Sequence, residues 1–367
     1  MPTTWLMMEQ GAAGLAAPHI ARFESVGRCL PGTRLATSEL MASTRHRTGI
    51  DLERLTGIRE RRVSGGHETS LSLAIGAAAD CLARSRRRAE DLQAVVNCSI
   101  TKYGDGLTQR VEPAMSLAVA RAIGAEHAVT FDISNACAGM LTGVFVVANR
   151  IRRGEIDCGM VVSGEYISRL GVNAAAHVRN IMSRELPSLT LGDAGAAVIL
   201  GRAPEGCDGI EAMGFTTVAR HSRLCLASPA KHDPGARMFT KARSLQRAAI
   251  ADVPVLLQEA LDSVGLSVGD VQHLIPHQTS VRAIRKGMRV IRESLGGEPS
   301  KQTVVTVDRY GNTASTTHFV ALAEELRAGR IEAGDRVALV ALASGLEIGF
   351  ALFTADEELV KSHGDDD

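Results

Sequence analysis

Hydrophobic positions in this chain gather into short, nearly continuous apolar runs, separated by longer stretches in which small and polar residues alternate. The run from Ala128 to Ile133 is apolar and β-branched enough for a buried strand. After Ser134-Asn135 the apolar residues spread through a small-residue segment ending at Ile151, which suits a helix packed on all sides. Cys137 therefore falls at a strand-to-helix elbow, between Ala136 and Ala138-Gly139. Unpaired amides and the positive end of the helix dipole favour a thiolate there. That placement makes Cys137 the candidate nucleophile. The other six cysteines read as small buried hydrophobes.

The same reading extends along the chain. Residues 19–66 predict a strand and then a polar helix-and-loop region. Ser70–Arg84 predicts an Ala/Leu-rich helix, Leu92–Ile100 an apolar strand, and Pro113–Ile123 a helix with Pro in its first turn. Residues 154–164 predict a helix-to-strand passage, and Leu191-Gly192-Asp193 a tight turn into a strand.

The second half repeats the first. Glu90 to Ser99 aligns with Gly269 to Gln278, and Thr130 to Cys137 aligns with Thr306 to Thr313. Each is followed by a helix, by Arg153-Gly154 or Ala328-Gly329, and by an apolar strand reaching Ser163-Gly164 or Ser344-Gly345. The pattern predicts a duplicated α/β half with its boundary between Gly201 and Asp208, dividing the chain into residues 1–204 and 205–367. If a pseudo-twofold relates the halves, the elbows after Asp132 and Asp308 face each other. His277, at the end of the strand equivalent to the one before Cys98, opens into the same cleft. Strand ends are where open α/β sheets bind ligands. Taken singly, His277 reads equally well as a satisfied buried histidine, and Asn312 as an ordinary turn residue. At matched places in a duplicated fold, a thiol, an imidazole and a carboxamide read as one site.

Composition narrows the function. Charged residues make up 22% and aromatics 3%, and the formal net charge is zero. That balance supplies neither the cationic excess nor the stacking surface of a nucleic-acid binder. The seven cysteines are scattered, with no C-x-x-C pair and no zinc spacing. No metal is expected, and the reducing cytosol is the expected compartment. The N-terminus has no basic segment of a signal peptide, no apolar run is long enough to span a bilayer, and residues 364–367 read as a frayed acidic tail. Arg282, Arg285, Lys286 and Arg289 form one helical stripe just after His277. It reads as a solvated face or as a dock for a carrier protein or a phosphopantetheine arm. Glu112, before Pro113, reads by itself as a carboxylate at a helix start.

Thr56-Gly-Ile-Arg-Glu-Arg-Arg62, Asn135-Ala-Cys137-Ala-Gly139, Leu191-Gly-Asp-Ala-Gly-Ala196, His277-Gln278 and Gly311-Asn312 together resemble the ketoacyl synthase III branch of the thiolase superfamily, over roughly residues 20 to 355. The resemblance implies a five-layered αβαβα fold, a homodimer, and ping-pong acyl transfer from a coenzyme A or acyl-carrier-protein thioester, with no cofactor. It implies Cys137 as the acylated nucleophile, the amides of Cys137 and Ser344 as the oxyanion hole, and His277 and Asn312 as donors to the second thioester in a Claisen condensation. Glu112-Pro113, His277-Gln-Thr-Ser280 and Ala343-Ser-Gly-Leu346 also resemble enzymes that join two acyl-CoA chains head to head, in which a glutamate contributed across the dimer acts as base. Three features depart from the plain synthase pattern: Ser280 stands where that branch carries Asn, Asp51 stands where it carries a coenzyme-binding Trp, and Ala343-Ser344-Gly345 replaces a glycine triplet. They imply a specialised role in lipid or secondary metabolism. The competing readings are an ester- or amide-forming acyltransferase, a non-catalytic partner subunit, and a papain-like protease. The protease lacks its Cys-Gly-Ser-Cys-Trp signature here.

Overall fold

The computed structural model describes residues 6–7 and 19–363. The expected acidic tail and most of the segment read for a signal peptide lie outside the described residues. Within them the two halves share one topology. In the first sheet the strands run in the order Ala21–Cys29, Ala194–Arg202, Cys158–Glu165, Ala94–Asn97, Val129–Asp132. The first two pairings are antiparallel and the last two parallel. The second sheet repeats this as Ile210–Thr217, Glu347–Thr354, Arg336–Ala343, His273–Pro276, Gln302–Thr303, with the same directions. Leu6–Met7 adds an outer strand beside Ile210–Thr217.

Helices Gly139–Arg152 and Thr317–Arg327 lie between the sheets, and Val144, Val147, Phe319 and Leu322 share one core with Val161, Val198, Leu339 and Phe353. Both helices are small-residue and apolar on several faces because both sheets press on them. Ser70–Ala83 and Met115–Ile123 cover the outer face of the first sheet. Ala242–Asp262 and Val281–Leu295 cover that of the second. The expected five layers are present. The strand Cys158–Glu165 is buried along its whole length, which is why it reads as an unbroken apolar run rather than an alternation.

Four expectations need correction. The strand expected over Leu92–Ile100 is Ala94–Asn97. The helix expected from Pro113 starts at Met115, because the Asp132 carboxylate accepts the amides of Met115 and Ser116 at 3.3 and 2.9 Å and sets the first turn there. The alignment of Thr306–Thr313 with Thr130–Cys137 also slips. Val307–Tyr310 is a short helix, and the equivalent strand is Gln302–Thr303. The second half has inserted a helical turn before its elbow, which a gapless comparison cannot accommodate. The true correspondence runs between the single helical turns Ala136–Ala138 and Ala314–Thr316, each leading into a central helix. Ala136 and Ala314 share the left-handed φ of 44° and 55°. Cys137 thus corresponds to Ser315. The Ser-Gly pairs are not equivalent either: Ser163-Gly164 lies inside a strand, and Ser344-Gly345 lies in the turn after Ala343.

Candidate active site

Cys137 sits in the turn before the central helix, half-buried, against Ile167, Leu170, Leu191 and Ala314. Ala236 and Met238, on the hairpin of Cys225–Pro229 with Ala236–Thr240, pack on the same cluster. The expected thiolate is not what this environment favours. Burial pushes the Cys137 thiol up to about 12, and negative charge on Cys225 or Glu165 acts in the same direction; its own amide only partly opposes them. One helical turn of dipole is outweighed by desolvation, so the resting group is a thiol.

His277 follows the strand His273–Pro276, as expected, and its amide donates to the Val340 carbonyl at 2.8 Å. Cys98, its counterpart, donates in the same way to the Val162 carbonyl at 2.8 Å. The loop is pinned by buried Gln278. Its Nε2 donates to the Pro276 and Val304 carbonyls at 2.8 and 3.0 Å, and its Oε1 accepts the amides of Thr306 and Val307 at 2.9 and 3.2 Å. Burial first, then the neighbouring His318, lowers the His277 pKa to about 3, so its imidazole is neutral. Ser280, a marker in the sequence, caps the next helix by accepting the Ala283 amide at 3.1 Å.

Asn312 lies at the second elbow with its backbone clamped. Its amide donates to the Thr190 carbonyl at 2.8 Å and its carbonyl accepts from Gly192 at 3.0 Å. This explains two glycines. A Cβ at Gly192 would stand 2.1 Å from the Tyr310 carbonyl oxygen, and Gly311 has φ 67° with Thr190 O at 2.8 Å from its would-be Cβ. The Asn312 Oδ1 accepts the Ala314 amide at 3.0 Å, leaving Nδ2 as the donor. The turn holding Cys137 contacts both the Ala314–Thr316 turn and the strand Arg336–Ala343. The Cys137 turn therefore packs against both the turn to which Asn312 is bonded and the strand to which His277 is bonded.

Asp193 stood in a sequence motif without an assigned role, and Glu165 and Ser315 were not singled out in the sequence. Asp193 is fully buried and accepts the amides of Ser64, Ile167 and Ser168 at 2.7, 2.7 and 2.6 Å, holding the motif around Gly192. Glu165 is also fully buried. It accepts the amides of Ile100 and Thr101 at 2.8 and 3.2 Å and the Ser315 hydroxyl. Burial pushes its pKa up to about 7. Ser315 further meets Ser163 at 2.7 Å. The available sequence signal was a carboxylate at the end of an otherwise apolar strand.

The remaining expected residues differ in their placement. Ser344 is in the turn between Arg336–Ala343 and Glu347–Thr354, and both of these strands contact the Cys137 turn. Glu112 is exposed beside Val111, itself 80% exposed, on the loop before Met115. The helix-start role weighed for it is filled by Asp132, whose Oδ2 also takes Lys102 Nζ at 2.6 Å. Arg282, Arg285, Lys286 and Arg289 are all exposed, opposite the buried Ile284 and Ile291. Lys286 lines a groove with Arg243, Gln246, Arg247 and Ile250. Asp51 caps the helix Leu52–Thr56 by accepting the Arg54 amide at 2.8 Å. No helix among the described residues is long and apolar enough to cross a membrane.

Comparison with known proteins agrees with this architecture. Residues 131–218 match the family model of 3-oxoacyl-[acyl-carrier-protein] synthase III, and residues 261–355 match that of its C-terminal part. The β-ketoacyl-[acyl-carrier-protein] synthase III of Symbiobacterium thermophilum is 32% identical over 323 residues, covering 82% of this chain and 92% of the relative. That of Acidiphilium cryptum is 29% identical over 333 residues, covering 90% and 97%. Among solved structures, the priming β-ketosynthase of the R1128 polyketide pathway superposes with a TM-score of 0.77 at 26% identity, over 94% of this chain and 99% of that one. OleA of Xanthomonas campestris, solved with lauric acid and lauroyl-CoA, gives 0.79 at 23% identity over 92% and 99%, a likeness of fold.

Proposed function

This chain belongs to the β-ketoacyl-[acyl-carrier-protein] synthase III family, and we propose that it takes an acyl group onto Cys137 and joins it to a second thioester by Claisen condensation. The observation that carries this reading is that the Cys137 turn packs against both the turn to which Asn312 is bonded and the strand to which His277 is bonded, where the two related halves meet. The division falls at residue 204, with the nucleophile in the first half and both donors in the second.

Cys137 attacks an acyl-CoA or acyl-carrier-protein thioester. The carbon–sulfur bond to the carrier breaks, and the proton of the Cys137 thiol ends on the departing thiol. The amides of Cys137 and Ser344 stabilise the oxyanion. The second thioester's carbonyl then receives hydrogen bonds from Asn312 Nδ2 and the His277 imidazole while its α-carbon becomes an enolate. A neutral imidazole suits this role, because it donates a hydrogen bond without being acidic enough to quench the enolate. The enolate carbon attacks the acyl carbonyl, the bond to Cys137 Sγ breaks, and a β-ketoacyl product leaves.

The enolate forms either by loss of CO₂ from a malonyl-type extender or by proton abstraction. Exposed on its loop, and relieved of a helix-start role by Asp132, Glu112 favours the second route, acting across a homodimer as the base. The exposed cations of the 282–289 stripe serve as the dock for the anionic carrier, extended by Arg243 and Arg247 across the groove. The seven free thiols fit the reducing cytosol.

Intact-protein mass spectrometry after incubation with a panel of acyl-CoAs tests the first step. One acyl group is expected per chain and none on Cys137→Ala; stoichiometric labelling of that variant overturns the reading. The extender is tested with Glu112→Gln, assayed on two acyl-CoAs and separately on a malonyl thioester. Loss of only the first reaction supports Glu112 as base, and a wild-type protein that turns over only the malonyl substrate removes it.

A further inference from the structure

Behind His277 lies a second imidazole that none of the steps above uses. His318 is the second residue of the central helix Thr317–Arg327, 1% exposed, on a helix whose other buried residues include Phe319, Val320 and Leu322. Its Nε2 lies 3.0 Å from the Val340 carbonyl oxygen. A carbonyl only accepts, so Nε2 carries the hydrogen and Nδ1 does not. The same carbonyl accepts the His277 amide at 2.8 Å. One backbone oxygen therefore fastens both histidines. Their rings stand 5.8 Å apart, tilted by 31°, so His318 closes one side of the His277 imidazole.

That contact matters because His277 has little else to hold its ring. Its Nδ1 is buried and has no hydrogen-bond partner. A buried imidazole lacking an anchor at Nδ1 can turn over about its Cβ–Cγ bond and exchange the positions of its two nitrogens, and packing is then what selects one orientation. We propose that His318 is a positioning residue for the condensation step, holding the His277 ring in the one orientation in which its N–H meets the carbonyl of the second thioester.

The surroundings suit a rigid, uncharged pair. From the central helix comes His318 itself, whose own pKa burial lowers to about 4. A cation in the first turn of that helix would also oppose the dipole. From the strand Arg336–Ala343 comes the Val340 carbonyl, and from the His277 loop the neutral amide of Gln278. Burial and His318 are the influences that act on the His277 charge, with no carboxylate among them. A leucine or phenylalanine would fill this core without desolvating a polar ring, so the imidazole contributes something other than packing volume.

This proposal rests on the condensing role of His277 and is tested apart from it. The variants are His318→Leu, which removes the donor to Val340, and His318→Gln, whose amide can still reach that carbonyl. We expect Cys137 of His318→Leu to acylate at the wild-type rate while condensation falls about tenfold to a hundredfold, a fraction of the loss for deleting a direct donor. His318→Gln recovers most of that rate. An unchanged ratio of condensation to acylation in His318→Leu, or an equal loss of both steps, overturns the proposal. Nitrogen-15 spectra of histidine-labelled protein decide it without turnover. Wild type should show one neutral His277 species and a Nε2–H tautomer of His318. In His318→Leu the His277 signals should split or broaden as the ring samples both orientations, and sharp, unshifted signals overturn the proposal. Failure of wild type to acylate, with these spectra as expected, counts against the condensing reading and leaves the His318 contact standing.

Discussion

The two elbows share a backbone design and differ in chemistry. In each, a left-handed alanine, Ala136 or Ala314, opens a single helical turn into a central helix. The first elbow places a half-buried sulfur at the turn's middle residue. The second places Ser315 there, 1% exposed and bound to Ser163 and Glu165, and carries the proposed donor Asn312 three residues earlier, after the inserted helix Val307–Tyr310. A duplicated fold thus supplies two equivalent positions: burial makes one a structural tie, and the other carries the proposed nucleophile.

The sharpest way to break this comparison is to exchange the two residues. Cys137→Ser combined with Ser315→Cys should lose acylation entirely, because a sulfur at position 315 would be enclosed by the Glu165 network. Peptide mapping that finds an acyl group at position 315 would show the elbows to be interchangeable. The next largest effect concerns the donors. His277→Ala and Asn312→Ala should each acylate normally yet condense ~10²–10³ more slowly, measured as product formed from pre-acylated protein. Condensation at the wild-type rate by either variant would remove it from the second carbonyl. The smallest effect lies outside both elbows. Reversing the charge of Arg285 and Arg289 should raise KM for a carrier-protein substrate about 10-fold, in a salt-dependent way, and leave small thioester analogues unchanged. An equal change for both substrates would return the stripe to a solvated face.

Much of this was legible residue by residue. The elbow at Cys137 could be read because a β-branched run gives way to a small-residue run within a few positions. The matched strands around Cys98 and His277 were legible because a buried strand's apolar pattern survives duplication. Gly192 and Gly311 stood in motifs, although only the close approach of Tyr310 O and Thr190 O shows why no side chain fits. Less legible were Asp193, Gln278 and Glu165, whose polar side chains work through partners up to 150 positions away, as Ser315 does with Glu165. The register of the second elbow was misread because the helix Val307–Tyr310 has no counterpart in the first half.

By itself the sequence determined the alternation of strands and helices, the duplication, and which residue types reach the strand ends, because periodicity and turn chemistry are local. The tertiary structure alone decided the state of those residues. Cys137 is held as a thiol and His277 as a neutral ring because other segments exclude water from them, and desolvation depends on everything that surrounds a group. It also decided that Asp132, not Glu112, caps the helix at Met115, and that His318 stands against His277. Those contacts join residues distant in the chain, and no local pattern encodes them.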